Sequence, residues 1–223
     1  MRFRSQLVMM AFALMAAFVS AVVTPVAAAP DAQPQVLDRI VATVGQQVIT
    51  LSDARAAVGL GLLPDSSSLP LGTVVERLVD RELMRAEIDR FGVMAPAPEL
   101  LASRIEAIRK RFANPQAFDA ALEAHGLSDA RFRAWVSDDW RIEQYIQQRF
   151  DAASQPTDED VLQYFQSRER EFSQNGRPTR FEEIRDEVRR RLLSERRQAL
   201  VDDWVAGLKR RTEIVMMHDR GAA

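Results

Sequence analysis

The sequence contains no cysteine and only two histidines, His125 and His218. It therefore has no disulfide framework, and the zinc sites that are built from clustered cysteines and histidines are excluded. No acidic segment has the calcium-loop pattern with its central glycine, and the glycines at 59–61 lack the rest of a dinucleotide-binding fingerprint. We therefore predict that the protein uses no metal and no cofactor.

An excess of positive charge is also absent. The formal net charge is −2, with 30 Lys and Arg residues against 32 Asp and Glu residues. Nucleic-acid-binding domains normally carry a basic surface, which this composition does not provide, so no nucleic-acid partner is expected. Hydrophobic residues make up 47% of the 223 positions, which is enough for one substantial globular unit or two small lobes.

The first residues of the chain differ in kind from the rest. Arg2 and Arg4 precede an apolar run at 7–23, which ends in a series of small residues. This order is typical of a secretory signal peptide, so we predict a signal peptide at 1–29, a disordered leader at 30–36 and export to the periplasm. The apolar run has about the minimum length of a bilayer span. The alternative is therefore an uncleaved segment that anchors the protein in the inner membrane, facing the periplasm.

The longest uninterrupted pattern lies near the C-terminus. Residues 181–211 contain no proline and a single glycine, Gly207, in the last turn, which predicts one long helix. The apolar surface of this helix is a narrow stripe in its first half and covers two adjacent faces in its second half. The second half must therefore pack between other elements. The β-branched stretch at 212–217 is predicted to be a strand that pairs with 40–44.

Before the long helix, amphipathic patterns follow one another with short connections. A strand–turn–strand pattern comes first, helices follow, and the small polar residues at 151–156 predict a linker. The predicted helices lie at 71–91, 99–112, 128–150 and 157–172, with a shorter one that starts at Asn114-Pro115. We predict a mainly α-helical fold with a small sheet that joins the N-terminal hairpin to a C-terminal strand. The predicted domain covers 37–217, made of a helical part at 37–150, the helix at 157–172 and the helix and strand at 181–217, with a tail at 218–223.

The order of these segments resembles a known family. The hairpin sequence LDRIVATVGQQVITLSD, at 37–53, is similar to the N-terminal signature of SurA-type periplasmic chaperones and their relatives that carry parvulin peptidyl-prolyl isomerase domains. The sequences PTDEDVLQYFQSREREF, at 156–172, and FEEIRDEVRRRLLSERRQALVDDWVAGLKRRTEI, at 181–214, are similar to the segments that flank the parvulin domain in that family. The resemblance implies a multi-helix lobe like the SurA N-terminal domain.

The parvulin domain itself has no counterpart between those two segments. Only the eight residues 173–180 separate them, and a domain requires many more. Parvulin chemistry also uses histidines together with a Cys or an Asp, whereas His125 and His218 lie in unrelated places. We therefore predict that the protein is not an enzyme. A peptidyl-prolyl isomerase-related protein with residual activity is the enzymatic alternative.

The function that the resemblance implies is ATP-independent binding of unfolded outer-membrane or periplasmic polypeptides, with no small-molecule substrate. A structural envelope subunit that binds one folded partner is another alternative. The sequence also leaves open whether the protein forms a homodimer. Aromatic and methionine side chains suit varied clients because they repack easily around different partners. On this basis the predicted client-binding apolar surface consists of Met84, Ile88, Phe132, Trp135, Trp140 and Tyr145.

The remaining charged and titratable residues have simpler interpretations. His125 follows a predicted helix, where an imidazole meets the helix dipole. The acid pairs at 138–139 and 202–203 are predicted to be solvated helix faces. The arginine run at 189–191 alternates with glutamates at helical spacing, which predicts ion pairing on an exposed face.

Overall fold

The computed structural model describes residues 38–173 and 179–217. The predicted signal peptide at 1–29, the leader at 30–36 and the tail at 218–223 lie outside the described residues. Within the described part, the chain forms seven α-helices, one 3-10 helix and a three-stranded sheet. The mainly α-helical fold with a small sheet is therefore confirmed.

The elements follow one another with mostly short connections. They are β1 Ile40–Val44, β2 Gln47–Thr50, α1 Leu51–Gly59, α2 Leu71–Arg90, α3 Pro98–Arg109, α4 Pro115–Ala124, α5 Asp129–Ser154, α6 Asp158–Ser167, the 3-10 helix Glu169–Phe172, α7 Phe181–Arg211 and β3 Ile214–Met216. Thr50 and Thr157 begin α1 and α6 with capping boxes, in which each threonine exchanges hydrogen bonds with an aspartate three residues later. Local sequence chemistry thus sets where these two helices start.

The sheet joins the N-terminal hairpin to the end of the described chain. Its strand order is β2-β1-β3, and both pairings are antiparallel. The hairpin turns at Gly45, whose φ of 57° lies in the left-handed region that favours glycine. On the other edge of β1, Val44 lies opposite Ile214 and Ala42 lies opposite Met216. The predicted pairing of the two distant segments is confirmed.

Helix α7 has the predicted bounds and contributes to two separate cores. Its first half packs on α6 and the 3-10 helix through Ile184, Val188 and Leu192. Its second half contacts α2 and α5, where Trp204 and Leu208 reach the core beneath the sheet. The apolar face widens along α7 because only the second half has neighbours on two sides.

Three helix ends differ from the predictions, and α3 is one of them, since it ends at Arg109 and not at 112. Helix α5 continues through most of the predicted linker to Ser154, whose side chain is buried and donates a hydrogen bond to the carbonyl of Asp151 at 3.0 Å. The Asp151 carboxylate also pairs with Arg197 of α7 at 2.5 Å, so contacts with α7 hold a segment whose composition predicts a linker. The helix predicted to extend to 172 ends at Ser167 and gives way to the 3-10 turn.

A further cluster fills the space between α3, α4 and the start of α5. Phe118 of α4 and Phe132 of α5 are fully buried there, with ring centroids 5.1 Å apart in an edge-to-face arrangement. Leu60 and Leu62, at and just beyond the end of α1, join the same cluster. The loop after α1 is thereby fixed between this cluster and the helices that border the site described next.

Candidate functional site

An open groove of about 630 Å³ lies between α2, α5, α7 and the loop that follows α1. This volume is within the range of sites that accept small molecules or short peptide segments. The apolar residues of its wall come from all four elements, and they are Leu62, Leu63, Pro64, Met84, Ile142, Val201, Val205 and Ala206. The groove is thus a feature of the tertiary packing and not of any single segment.

The floor of the groove is apolar because three amphipathic helices meet there. Val201 and Val205 are four residues apart on α7 and therefore share one face of that helix. Val205 and Ile142 are buried, whereas Met84 and Val201 are only half-buried. Apolar surface that the described part of the chain leaves partly uncovered is therefore available in the groove.

Arg81 connects the α2 wall of the groove to the α5 wall. Its Nε donates to Asp139 Oδ1 at 2.7 Å, and its Nη2 donates to the carbonyl oxygen of Trp135 at 3.1 Å. The guanidinium also lies 3.8 Å from the centroid of the Trp135 ring, in cation–π geometry. Burial raises the pKa of Asp139, and the nearby charge of Arg81 only partly offsets this effect.

Two other ion pairs cross between helices at the rim. Lys209 of α7 pairs with Asp80 of α2, and Arg104 of α3 pairs with Glu143 of α5 at 2.6 Å. Since each pair joins two different helices, the pairs hold the walls of the groove in register. Their partly exposed setting limits their contribution to stability to about 0.2–1 kcal/mol each.

A second depression of about 360 Å³ continues the groove toward α3. It shares Leu62, Pro64, Asp139 and Glu143 with the first cavity, and it adds Arg104 and Arg111 on the other side of the loop. The two cavities are therefore adjacent and both border the loop at 61–64, and together they are called the groove from here on.

The structure separates the six predicted client-binding residues into three groups. Met84 lines the groove, while Trp135 and Trp140 are half-buried on α5. Ile88 and Phe132 are 0% exposed and Tyr145 is 8% exposed, so these three side chains present almost no surface in this conformation. Ile88 and Tyr145 pack in one core cluster next to Met84, whereas Phe132 belongs to another.

Several groove residues were not among the predicted ones. Leu62 and Leu63 lie in a stretch that the sequence indicates only as the start of a loop, and Val201 belongs to the second apolar face of α7. The wider apolar surface in the second half of α7 is the sequence signal that could have indicated Val201, because it shows that α7 has more apolar surface than one neighbour covers. No comparable signal marks the two leucines.

His125 has a packing role at the end of α4. It follows the last residue of the helix, and its ring lies so close to α1 that a Cβ at Gly59 would come within 2.1 Å of Nε2. Among residues 38–173 and 179–217, no group of three or more His, Asp or Glu residues is arranged to hold a metal ion. His218 lies outside the described residues.

The fold and the cavities together define a helical module with an open, partly apolar groove. In the two described stretches, no helix combines the length and the hydropathy that crossing a membrane requires. Ion pairs between helices join the walls of this groove.

Comparison with known proteins agrees with this class. No protein-family model matches the chain. It is 29% identical over 153 residues to the chaperone SurA of Bordetella pertussis and to that of Bordetella bronchiseptica. The match covers 64% of this chain but only 29% of each relative, so the chain spans less than a third of the length of the curated relatives it matches.

A solved structure shares the fold. It comes from work on the virulence factor PEB4 and the periplasmic protein Cj1289, described as two structurally related SurA-like chaperones of Campylobacter jejuni. The TM-score is 0.50 at 13% identity, over 81% of this chain and 100% of that chain. The chain is thus similar in sequence to two SurA chaperones and shares the fold of a SurA-like chaperone.

Proposed function

We propose that this protein is an ATP-independent chaperone of the periplasm that binds unfolded envelope polypeptides, chiefly outer-membrane protein precursors. The observation that carries the proposal is the open groove, in which Met84 and Val201 offer apolar surface between α2, α5 and α7. The similarity to the SurA chaperones of the two Bordetella species supports this reading of the groove. The predicted signal peptide at 1–29 supports a periplasmic location.

The proposed mechanism is transient burial of apolar side chains. Each CH₂ group that a client places in the groove contributes about 0.8 kcal/mol, and ordering the flexible client opposes this gain. Binding is therefore weak enough for the client to leave without an energy source. A strand of a membrane barrel alternates apolar and polar residues, so one face of an extended client fits the groove while the other stays in water.

No covalent step belongs to the proposal. The two segments that resemble the flanks of a parvulin domain are separated by residues 173–180 alone, which leaves no room between them for the parvulin domain that the resemblance would place there. Protection of a client requires only that association is faster than the client's aggregation. The protein is thus proposed to act as a holdase.

The test is light scattering of an unfolded outer-membrane barrel protein diluted from urea. The protein is added at equal molar concentration without nucleotide, and an inert protein of similar size serves as the control. We expect suppressed scattering. Unchanged scattering from protein that circular dichroism proves folded would refute the proposal. Recovery of one folded envelope protein in a stable stoichiometric complex would instead identify a structural subunit.

A further inference from the structure

The groove carries an excess of positive charge beside the loop at 61–64. Most of its ionic side chains neutralise each other in three ion pairs, which are Arg81 with Asp139, Arg104 with Glu143 and Lys209 with Asp80. Among the groove residues, Arg77, Arg111 and Asp202 make no ion pair within the described part of the chain. The unpaired charges are therefore two cations and one anion, and they are not distributed evenly.

The two unpaired cations are tethered to the loop that the halves of the groove share. Arg77 Nη1 donates to the carbonyl oxygen of Pro64 at 2.7 Å, and Arg111 Nη1 donates to that of Gly61 at 3.0 Å. One guanidinium thus stands at each end of the loop at 61–64. A guanidinium has five N–H donors, so each of these arginines keeps most of its donors free after the tether is made.

The unpaired anion lies on a different wall. Asp202 belongs to α7, and the one hydrogen bond to its carboxylate within the described residues comes from Gln198 Nε2 at 2.8 Å. The apolar side chains of Met84 and Val201 line the same cavity. An elongated ligand therefore meets apolar surface and the Asp202 carboxylate in the first cavity, and the two tethered arginines along the loop.

We infer that the groove selects extended polypeptide segments in which a run of alternating apolar residues is flanked by an acidic side chain. The apolar residues occupy the first cavity, and the carboxylate binds Arg77 or Arg111 at the loop. Arginine suits this role because its planar donors match a carboxylate in a bidentate fashion, and because the tethers hold both guanidiniums in place before the ligand arrives. This inference rests on the proposed function and adds the charge of the client segment.

The test compares short peptides of identical apolar sequence that differ in one side chain. One peptide carries Asp beside the apolar run, the second carries Asn there, and both have blocked termini so that no other carboxylate is present. Binding to the full protein is measured by fluorescence anisotropy. We expect the Asp peptide to bind roughly fivefold more tightly at low salt, because one exposed ion pair contributes up to about 1 kcal/mol, and we expect the preference to fall at high salt.

Protein variants assign the preference to the two arginines. The double variant Arg77→Gln/Arg111→Gln is expected to bind both peptides equally, while Arg77→Lys/Arg111→Lys keeps part of the preference because it keeps the charge. The matched control is Arg170→Gln/Arg210→Gln, which removes two exposed arginines outside the groove and leaves the preference intact. Circular dichroism of each variant verifies the fold.

Each other outcome overturns the inference in a distinguishable way. Equal binding of the two peptides to the unaltered protein would overturn the charge preference and leave the holdase function in place. Absence of binding for both peptides would count against the groove as the client site. If sedimentation showed a concentration-dependent dimer that Met84→Glu abolishes, the occupant would be a second copy of this chain.

Discussion

Arg211, the last residue of α7, places its guanidinium 2.5 Å from the carboxylate of Glu87 on α2. Glu87 is 7% exposed, and its other carboxylate oxygen accepts from Arg90 at 2.9 Å. Two arginines thus compensate one buried charge where α7 ends beside the hairpin. The ion pair between Arg211 and Glu87 holds the end of α7 against α2, just before the chain continues into β3.

Removing the two arginines is expected to destabilise the protein more than removing the glutamate. Arg90→Met/Arg211→Met leaves Glu87 buried without a partner, which should lower the free energy of unfolding by about 2 kcal/mol after allowance for the exposure of both arginines. Glu87→Met removes the buried charge itself and should have a smaller effect. Urea denaturation of the two variants measures the difference, and an equal loss in both would contradict this account.

Gly59 is expected to tolerate no larger side chain while His125 is present. A Cβ at this position would lie 2.1 Å from His125 Nε2, so Gly59→Ala should destabilise the protein by roughly 1 kcal/mol even though alanine favours the helix. The control is Gly72→Ala in the first turn of α2, where nothing lies within 4 Å of the added Cβ. That variant should gain up to about 1 kcal/mol.

The double variant Gly59→Ala/His125→Ala separates the steric clash from other effects. If the clash is the cause, the double variant should recover most of the stability that Gly59→Ala alone loses, after correction for the separate effect of His125→Ala. Thermal unfolding of the three variants completes the cycle. Additive losses would show that the histidine ring moves aside and that the destabilisation has another origin.

The sequence predicts helix bounds well where neighbouring residues determine them. Helix α7 has its predicted bounds because proline is absent and glycine occurs only at its end, and the capping box at Thr157 marks the start of α6. The extension of α5 to Ser154 was not predictable in this way. Its stabilising contact, the pair of Asp151 with Arg197, joins residues that are distant in sequence.

The candidate site was predicted less completely than the fold for a similar reason. An apolar periodicity identifies the face that is buried, but not which members of that face remain accessible after several helices have packed. Ile88 lies one turn after Met84 on α2, and Tyr145 of α5 packs in the same cluster, yet neighbouring helices cover Ile88 and Tyr145 and leave Met84 at the groove. Leu62 contributes from a loop, where no periodicity exists.

The contact between α6 and α7 is expected to weaken in acid. Hydrogen bonds from Arg189 and Arg185 lower the pKa of Asp158, and a hydrogen bond from Arg196 lowers that of Asp160. A carboxylate whose pKa is lower in the folded state than in the unfolded state stabilises the folded state at pH values above its unfolded-state pKa. This contribution is lost as the pH falls from about 4 through the lower folded values.

Neutralising these two carboxylates should therefore flatten the pH dependence of stability. We expect Asp158→Asn/Asp160→Asn to be less stable than the unaltered protein at neutral pH and to lose less stability between about pH 5 and pH 2. Asp119→Asn, which removes an exposed carboxylate outside α6 and α7, is the control and should keep the original slope. Chemical denaturation across this pH range gives the slopes, and parallel curves for all three proteins would argue against the ion pairs.

In the proposed function, client protection depends most directly on the apolar floor of the groove. Met84→Glu places a charge among Ile142 and Val205, so a client must displace its hydration to bind. Leu162→Glu, at a 40% exposed position on α6, introduces the same charge outside the groove and is the matched control. We expect Met84→Glu to reduce the suppression of client aggregation by at least half, and Leu162→Glu to preserve it. If both variants protected the barrel protein as well as the unaltered chain does, clients would have to bind on another surface, and the half-buried Trp140 on α5 would be the next position to substitute.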